Sequence, residues 1–107
     1  MPRASTTSDV FNAIAEPRRR HILEFLAADE RSVGEIVEAL ELAQPAVSKH
    51  LHVLRGVGLV DTRREGRHVM YRTNADRLRA VHDWTAMFEQ YWRRQLRRIK
   101  AHAEGRR

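Results

Sequence analysis

A mainly α-helical domain with one small β-hairpin, in the order α-α-α-α-β-β-α, follows from three features of the 107-residue sequence. Apolar residues recur at three- and four-residue steps through most of the chain, the period of helices that bury one face. The stretch from Leu59 to Thr73 is strand-like instead, with Glu65-Gly66 between two runs, a hairpin signal. The last third returns to the helical pattern and carries two apolar stripes rather than one.

Thr7 or Ser8 is placed to cap a short first helix carrying Val10, Phe11 and Ile14. Pro17 ends it or opens the next. Arg18 to Ala28 reads as a second helix, with Ile22, Leu23, Phe25 and Leu26 apolar, and Asp29-Glu30-Arg31 as a turn. Ser32 followed three residues later by Glu35 is a capping-box spacing, and it starts a third helix with Val33, Ile36, Val37 and Leu40 inward. Glu41-Leu42-Ala43 is short enough for the turn of a helix-turn-helix.

The fourth helix, Gln44 to Arg55, is the most informative. Val47, Leu51 and Leu54 form its inward edge, and Pro45 suits a first turn, where a missing N–H costs nothing. Gln44, Ser48, Lys49, His52 and Arg55 lie off that edge, with Ala46 keeping the surface low. A face of Gln, Ser, Lys and His without acid suits a helix that enters the DNA major groove. Gln44 is matched to adenine N6/N7 and Lys49 to guanine or a phosphate, while His50 and Arg55 are matched to phosphates or to a neighbouring side chain. An ordinary solvated helix face is the alternative for each.

Gly56 and Gly58 end this helix; Leu59–Arg64 and Arg67–Thr73 are the expected strands. Arg63, Arg64, Arg67 and His68 would sit at the tip, for phosphate or minor-groove contact, or as charge protecting an exposed sheet edge. Asn74 is a suitable N-cap, and Ala75 to about Ala101 reads as one long helix. Leu78, Val81, Thr85, Phe88, Trp92 and Ile99 make one stripe, and Trp84, Met87 and Tyr91 a second beside it. One stripe packs on its own domain; the other calls for a second copy across a two-fold axis. The expected interface is Val10, Phe11 and Ile14 with Val81, Trp84, Thr85, Phe88, Tyr91 and Trp92. Helices, then a two-stranded wing, then a long terminal helix make a winged helix-turn-helix with a dimerisation extension. Residues 1–7 are expected to be disordered, 8–101 to form the DNA-binding and dimerisation domain, and 102–107 to be a basic tail.

Charge fits a polyanionic partner. The net formal charge is +6, and all but two of the twenty basic residues are arginine. Residues 24–41 hold six acids and one base, residues 44–72 six bases and two acids, and residues 93–107 seven bases and one acid. A patchy basic surface suggests nucleic acid, although a basic face is often merely solvated. With no cysteine, disulfides, thiolate metal sites and thiol redox chemistry are excluded. No apolar run approaches the ~18–20 residues of a membrane span, and no signal-peptide h-region opens the chain, so a cytoplasmic, nucleoid-associated protein is expected. No Ser/His/Asp set, Gly-rich phosphate loop or recognisable carboxylate pair suggests an enzyme. His50 and His52 stand two apart, which separates them around a helix, and His82 reads as an interface histidine rather than a ligand or switch. No cofactor is expected, and nothing identifies a small-molecule effector. An interaction or RNA-binding module on the same fold stays open, since fold does not fix function.

The segments Ile14-Ala-Glu-Pro-Arg-Arg-Arg-His-Ile-Leu23, Gln44 to Leu54, Gly58-Leu59-Val60 and Arg64-Glu-Gly-Arg67 with Tyr71 together resemble the ArsR/SmtB family of bacterial transcription repressors, over residues 8–99. The resemblance implies a homodimer that binds an inverted-repeat operator in double-stranded DNA, with two recognition helices about 34–36 Å apart, and that represses transcription, commonly of its own operon. Many members release DNA when a metal or other effector binds. One family metal site uses cysteines where this chain has Ser32 and Gly34. Another uses an Asp-x-His pair and a later His-x-x-Glu or His-x-x-His pair on the terminal helix, where this chain has Asp76 and Leu78, then Glu89 and Trp92. Zinc takes about four His, Cys or carboxylate ligands, so the chain resembles the metal-independent, SdpR-like branch, with no metal ligands expected.

Overall fold

The computed structural model describes residues 7–105. Four helices come first: α1 (Thr7–Ile14), α2 (Pro17–Ala28), α3 (Val33–Leu40) and α4 (Gln44–Gly56). An antiparallel hairpin follows, β1 (Val60–Glu65) with β2 (His68–Thr73), then a 3-10 turn at Ala75–Leu78 and helices α5 (Arg79–Ala86) and α6 (Glu89–Glu104). Residues 1–6 and 106–107, in the segments expected to be disordered or a tail, lie outside the described residues; Thr7 already opens α1, and His102 to Glu104 continue α6.

The head of α2 solves a charge problem that its sequence poses. Three arginines follow Pro17, although a helix N-terminus disfavours cations. Glu16 is the N-cap, and its carboxylate accepts from the Arg18 backbone N–H at 3.2 Å. Arg20 turns back to donate to the Ile14 and Ala15 carbonyls at 2.9 and 3.2 Å, and Arg19 donates to the Ala13 carbonyl at 3.4 Å. The cations thus satisfy the orphan carbonyls of α1, the helix end where positive charge is favoured.

The expected capping box is present: Glu35 N–H donates to Ser32 Oγ, and the Ser32 backbone N–H donates to Glu35 Oε1 at 3.0 Å. That backbone bond lowers the Glu35 carboxyl from its usual value. Between α3 and α4, Glu41 takes a left-handed backbone (φ 53°), a conformation that costs a residue with a Cβ ~1–2 kcal/mol but turns the chain within three residues.

At the far end of α4, Gly58 (φ 80°) donates to the Arg55 carbonyl at 3.0 Å and Leu59 donates to the Leu54 carbonyl at 2.9 Å. These two bonds make a Schellman motif, completed by apolar contact across the turn, and Leu54 and Leu59 are both fully buried. The stop of α4 and the start of the hairpin are one structure. Val47, Leu51, Leu54, Ile22, Leu26 and Ile36 fill the centre of the core, with Val10, Ala13, Leu23 and Val60 around them.

The hairpin pairs Val60 with Thr73 through to Glu65 with His68. Its two-residue loop is therefore Gly66-Arg67, one residue later than the expected Glu65-Gly66. Gly66 has φ 60° while Arg67 does not enter positive φ, which fits a turn with glycine first. Arg31 adds a third partner to the sheet, exchanging backbone bonds with Tyr71 at 3.0 and 2.8 Å, and the Thr73 hydroxyl donates to the Leu23 carbonyl at 2.8 Å. The wing is thereby fixed to α2 at its base.

The expected single terminal helix is divided. After the turn capped by Asn74, α5 ends at Ala86, and Met87 and Phe88 form tight bonds to Trp84 and Thr85, three residues back, at 3.2 and 2.9 Å. The Thr85 hydroxyl donates to the His82 carbonyl at 2.9 Å, a back-bond that bends helices. The 3-4 apolar spacing continues through the break, which hid it. Beyond it α6 stands away from the body. The radius of gyration is 18.7 Å, against about 13 Å for a compact chain of this size. Among the described residues, no helix is long and apolar enough to cross a membrane.

Candidate nucleic-acid interface

Gln44, Ser48, His52 and Arg55 stand four, four and three residues apart on α4, so they share one stripe, with Lys49 beside it; all five are exposed. The opposite edge is locked into the core by Val47, Leu51 and Leu54, so the stripe is held by buried side chains rather than free to roll. Ser48, His52 and Arg55 border a shallow hollow of about 170 Å³ whose far wall is Tyr71 of β2. The exposed polar stripe of α4 and the hairpin are thus contiguous. Tyr71 entered the sequence reading only through the resemblance; its alternation with Val69 and Thr73 on the inner face of β2 was the available signal.

His50 does not belong with these residues. It is 9% exposed, and its Nδ1 accepts from Arg19 Nε at 3.3 Å. A direct phosphate contact from His50 is therefore corrected: the ring faces the head of α2, and pairing with a neighbouring side chain is what the structure shows. Burial lowers its pKa from the ordinary histidine value, Glu16 opposes this, and Arg19, Arg18 and Lys49 reinforce it.

The wing divides in the same way. Arg64, Arg67 and His68 are exposed at or near the tip and make no ion pair among the described residues. Arg63 is on the face of β1 opposite Arg64, the face that it shares with Glu65 and, across the pair, His68. Its Nε donates to both Glu30 carboxylate oxygens at 2.8 and 2.9 Å, and Nη2 bonds Glu30 and reaches Glu65 at 2.8 Å. Hydrogen bonding from Arg63 lowers the Glu30 carboxyl, and Glu30 raises the Arg63 guanidinium. Arg63 as a free phosphate-binding cation is corrected accordingly: two carboxylates already neutralise it. Glu30, 33 residues away in sequence, could not be found from spacing.

Among the expected interface residues, Val10 is 7% exposed and belongs to the core, so its assignment to a partner surface is corrected. Ile14, Phe11, Val81 and Thr85 are half-buried. Trp84, Phe88, Tyr91 and Trp92 are exposed, together with Met87, Leu96 and Ile99, each 40–73%. Phe11, Trp84, Phe88 and Trp92 form one aromatic run with centroid separations of 5.6, 5.4 and 6.4 Å, which joins α1 to α5 and α6. Leu96 continues the run and was missed because the stripe had been traced from Trp92 to Ile99 directly. Of the positions compared with family metal ligands, Ser32 is committed to the α3 cap.

The chain matches the family described as bacterial regulatory protein, arsR family, over residues 16–62. It is 31% identical over 81 residues to the transcriptional repressor SdpR of Bacillus subtilis, covering 76% of this chain and 90% of that protein. It is 40% identical over 75 residues to the biofilm growth-associated repressor of Agrobacterium fabrum, covering 70% of this chain and 64% of that one. An ArsR-like transcriptional regulator from Rhodococcus superposes with a TM-score of 0.70 at 29% identity, over 91% of this chain and 92% of that chain. The homodimeric winged helix-turn-helix DNA-binding domain from Mycobacterium bovis gives a TM-score of 0.64 at 36% identity, over 76% and 78% of the two chains. The order of the elements and these likenesses agree that the chain belongs to the ArsR family of winged helix-turn-helix transcriptional regulators, a family of regulators and not of enzymes.

Proposed function

We propose that the protein is a homodimeric repressor of the metal-independent, SdpR-like branch that binds an inverted-repeat operator, acting in the cytoplasm on the nucleoid and on its own promoter. The observation that carries this reading is the pinned, acid-free stripe Gln44, Ser48, His52 and Arg55 lying next to a wing whose tip is cationic. In this reading α4 enters the major groove, Gln44 and Lys49 reach base edges, and Arg64, Arg67 and His68 contact the flanking backbone or minor groove.

The second copy is supported by the aromatic face. Four exposed aromatic side chains at roughly 150–250 Å² each, about half uncovered, leave about 300–500 Å², to which exposed Met87, Leu96 and Ile99 add. One side of a standard protein interface is about 800 Å², and monomers rarely leave such a patch open. The relatives named above as repressors, and the homodimeric neighbour, support the same reading. A metal-independent mode is supported by the donor set, since the aligned positions supply Asp76 and Glu89 but neither histidine nor cysteine.

The test is a titration of the purified protein against its own upstream promoter fragment and a scrambled duplex, at two salt concentrations, with Zn²⁺ or EDTA. Selective binding that weakens with salt and ignores the metal is expected. Binding abolished by zinc would overturn the metal-independent assignment, and equal affinity for scrambled duplex would overturn recognition of its own promoter.

A further inference from the structure

One buried polar group remains outside the reading machinery although it sits on the reading helix. His50 lies on α4 between Lys49 and Leu51, turned inward. Its Nδ1 accepts from Arg19 Nε at 3.3 Å, so the ring proton is on Nε2, which faces Glu16 Oε2 at 3.6 Å. Arg19 also donates to the Ala13 carbonyl, at the end of α1. Helix α1 in turn meets α5 through the edge-to-face contact of Phe11 with Trp84. A continuous set of contacts therefore runs from the recognition helix through one guanidinium to the helix end that borders the exposed aromatic face.

This tie has a chemical condition. Nδ1 accepts only while the imidazole is neutral; a second proton would place an N–H against the Arg19 N–H and a positive charge against a guanidinium. The charged groups facing the ring are Glu16, Arg18 and Arg19 at the head of α2 and Lys49 on its own helix, while α1 offers a carbonyl already taken by Arg19. Three of the four repel a proton. Glu16 alone attracts it, and its Oε2 is buried without a hydrogen-bond partner, so protonation would draw the ring away from Arg19 and toward Glu16.

We infer that Arg19 and His50 are positioning residues for DNA reading: neutral His50 ties the recognition helix to the carbonyl end of α1, and protonating it releases the tie and lowers selective affinity for DNA. The inference rests on the DNA-binding function proposed above. Its sign is distinctive. Any gain of positive charge on a DNA-facing surface strengthens binding to every duplex alike, whereas protonation of His50 weakens binding only to the preferred one.

The experiment uses the full chain and a duplex selected by the wild-type protein from a randomised pool at pH 7.5, with a scrambled duplex alongside, both followed by fluorescence anisotropy at fixed salt. Wild type, His50→Asn and His50→Leu are compared at pH 7.5 and 5.5, with circular dichroism to report folding. Asparagine keeps an acceptor near the Nδ1 position and does not titrate; leucine keeps volume and removes the acceptor. The ratio of selected to scrambled affinity is expected to fall with acidification in wild type and to stay level in His50→Asn. At pH 7.5 His50→Leu is expected to lose about tenfold in that ratio, the effect of one hydrogen bond to a charged group. A level wild-type ratio, or an equal fall in His50→Asn, overturns the inference. If His50→Leu does not fold, the asparagine comparison decides alone. If the wild-type protein enriches no duplex from the pool, the DNA-binding proposal fails, and the inference falls with it.

Discussion

Replacing Trp92 by alanine tests the second copy through a side chain whose loss the monomer tolerates. Trp92 is half exposed on α6 and touches Phe88 in a stacked arrangement at 6.4 Å. Half of a tryptophan is ~100–125 Å², and covering it contributes ~2.5–3 kcal/mol at ~25 cal/mol per Å². A two-fold interface contains the residue twice, so the dimer loses ~5–6 kcal/mol, about four decades in its dissociation constant at ~1.4 kcal/mol per decade. Incomplete burial or repacking of Phe88 lowers that figure, and a hundredfold change is the conservative expectation. Sedimentation equilibrium across protein concentration reads the constant, and circular dichroism shows whether the monomer stays folded. A variant with the wild-type dissociation constant would refute the assignment of this face, because Trp92 is the last ring of the aromatic run, with Phe88 behind it and the exposed Leu96 one turn ahead.

Three further outcomes follow from particular contacts. Leu54→Ala empties a fully buried site that also closes the Schellman turn, so urea unfolding is expected to show a loss of ~2–5 kcal/mol; less than about 1 kcal/mol would mean that the joint between helix and wing is looser than described. Ser32→Ala removes the α3 cap and is expected to lower stability by ~1 kcal/mol, read in the same assay; no loss would show the cap to be dispensable. Arg67→Ala is expected to flatten the log–log salt dependence of duplex binding by about 0.9 per protomer, one phosphate contact, while Arg63→Ala leaves that slope unchanged because Glu30 and Glu65 already hold the side chain. A slope change for Arg63→Ala and none for Arg67→Ala would reverse the division between the paired and the free cations of the wing.

Most of the architecture was legible because local and global signals agreed. The capping box at Ser32 and Glu35, the 47/51/54 edge of α4 and the glycines after it each fixed an element through chemistry that needs no distant partner. The errors have physical causes. The hairpin loop moved by one residue because Gly66 serves as either member of a two-residue turn. The break at Met87–Phe88 is invisible to periodicity because the apolar steps continue through it. Of the two roles open to His50, a phosphate contact or a neighbouring side chain, the structure shows the second; it stands three residues after Val47 and four before Leu54, an inward register that could have decided between them. Glu30 and Arg63 meet only through the tertiary fold, and no spacing rule connects residues on a turn and a strand.

The most direct measurement of the central claim is hydroxyl-radical footprinting of the protein on its upstream promoter. A dimer reading two half-sites with α4 predicts symmetric protected patches centred about one helical turn, or 10–10.5 base pairs, apart or a multiple of it, flanked by lighter protection from the wings. A single unsymmetrical patch, or none over a range of protein concentrations at low salt, would contradict it.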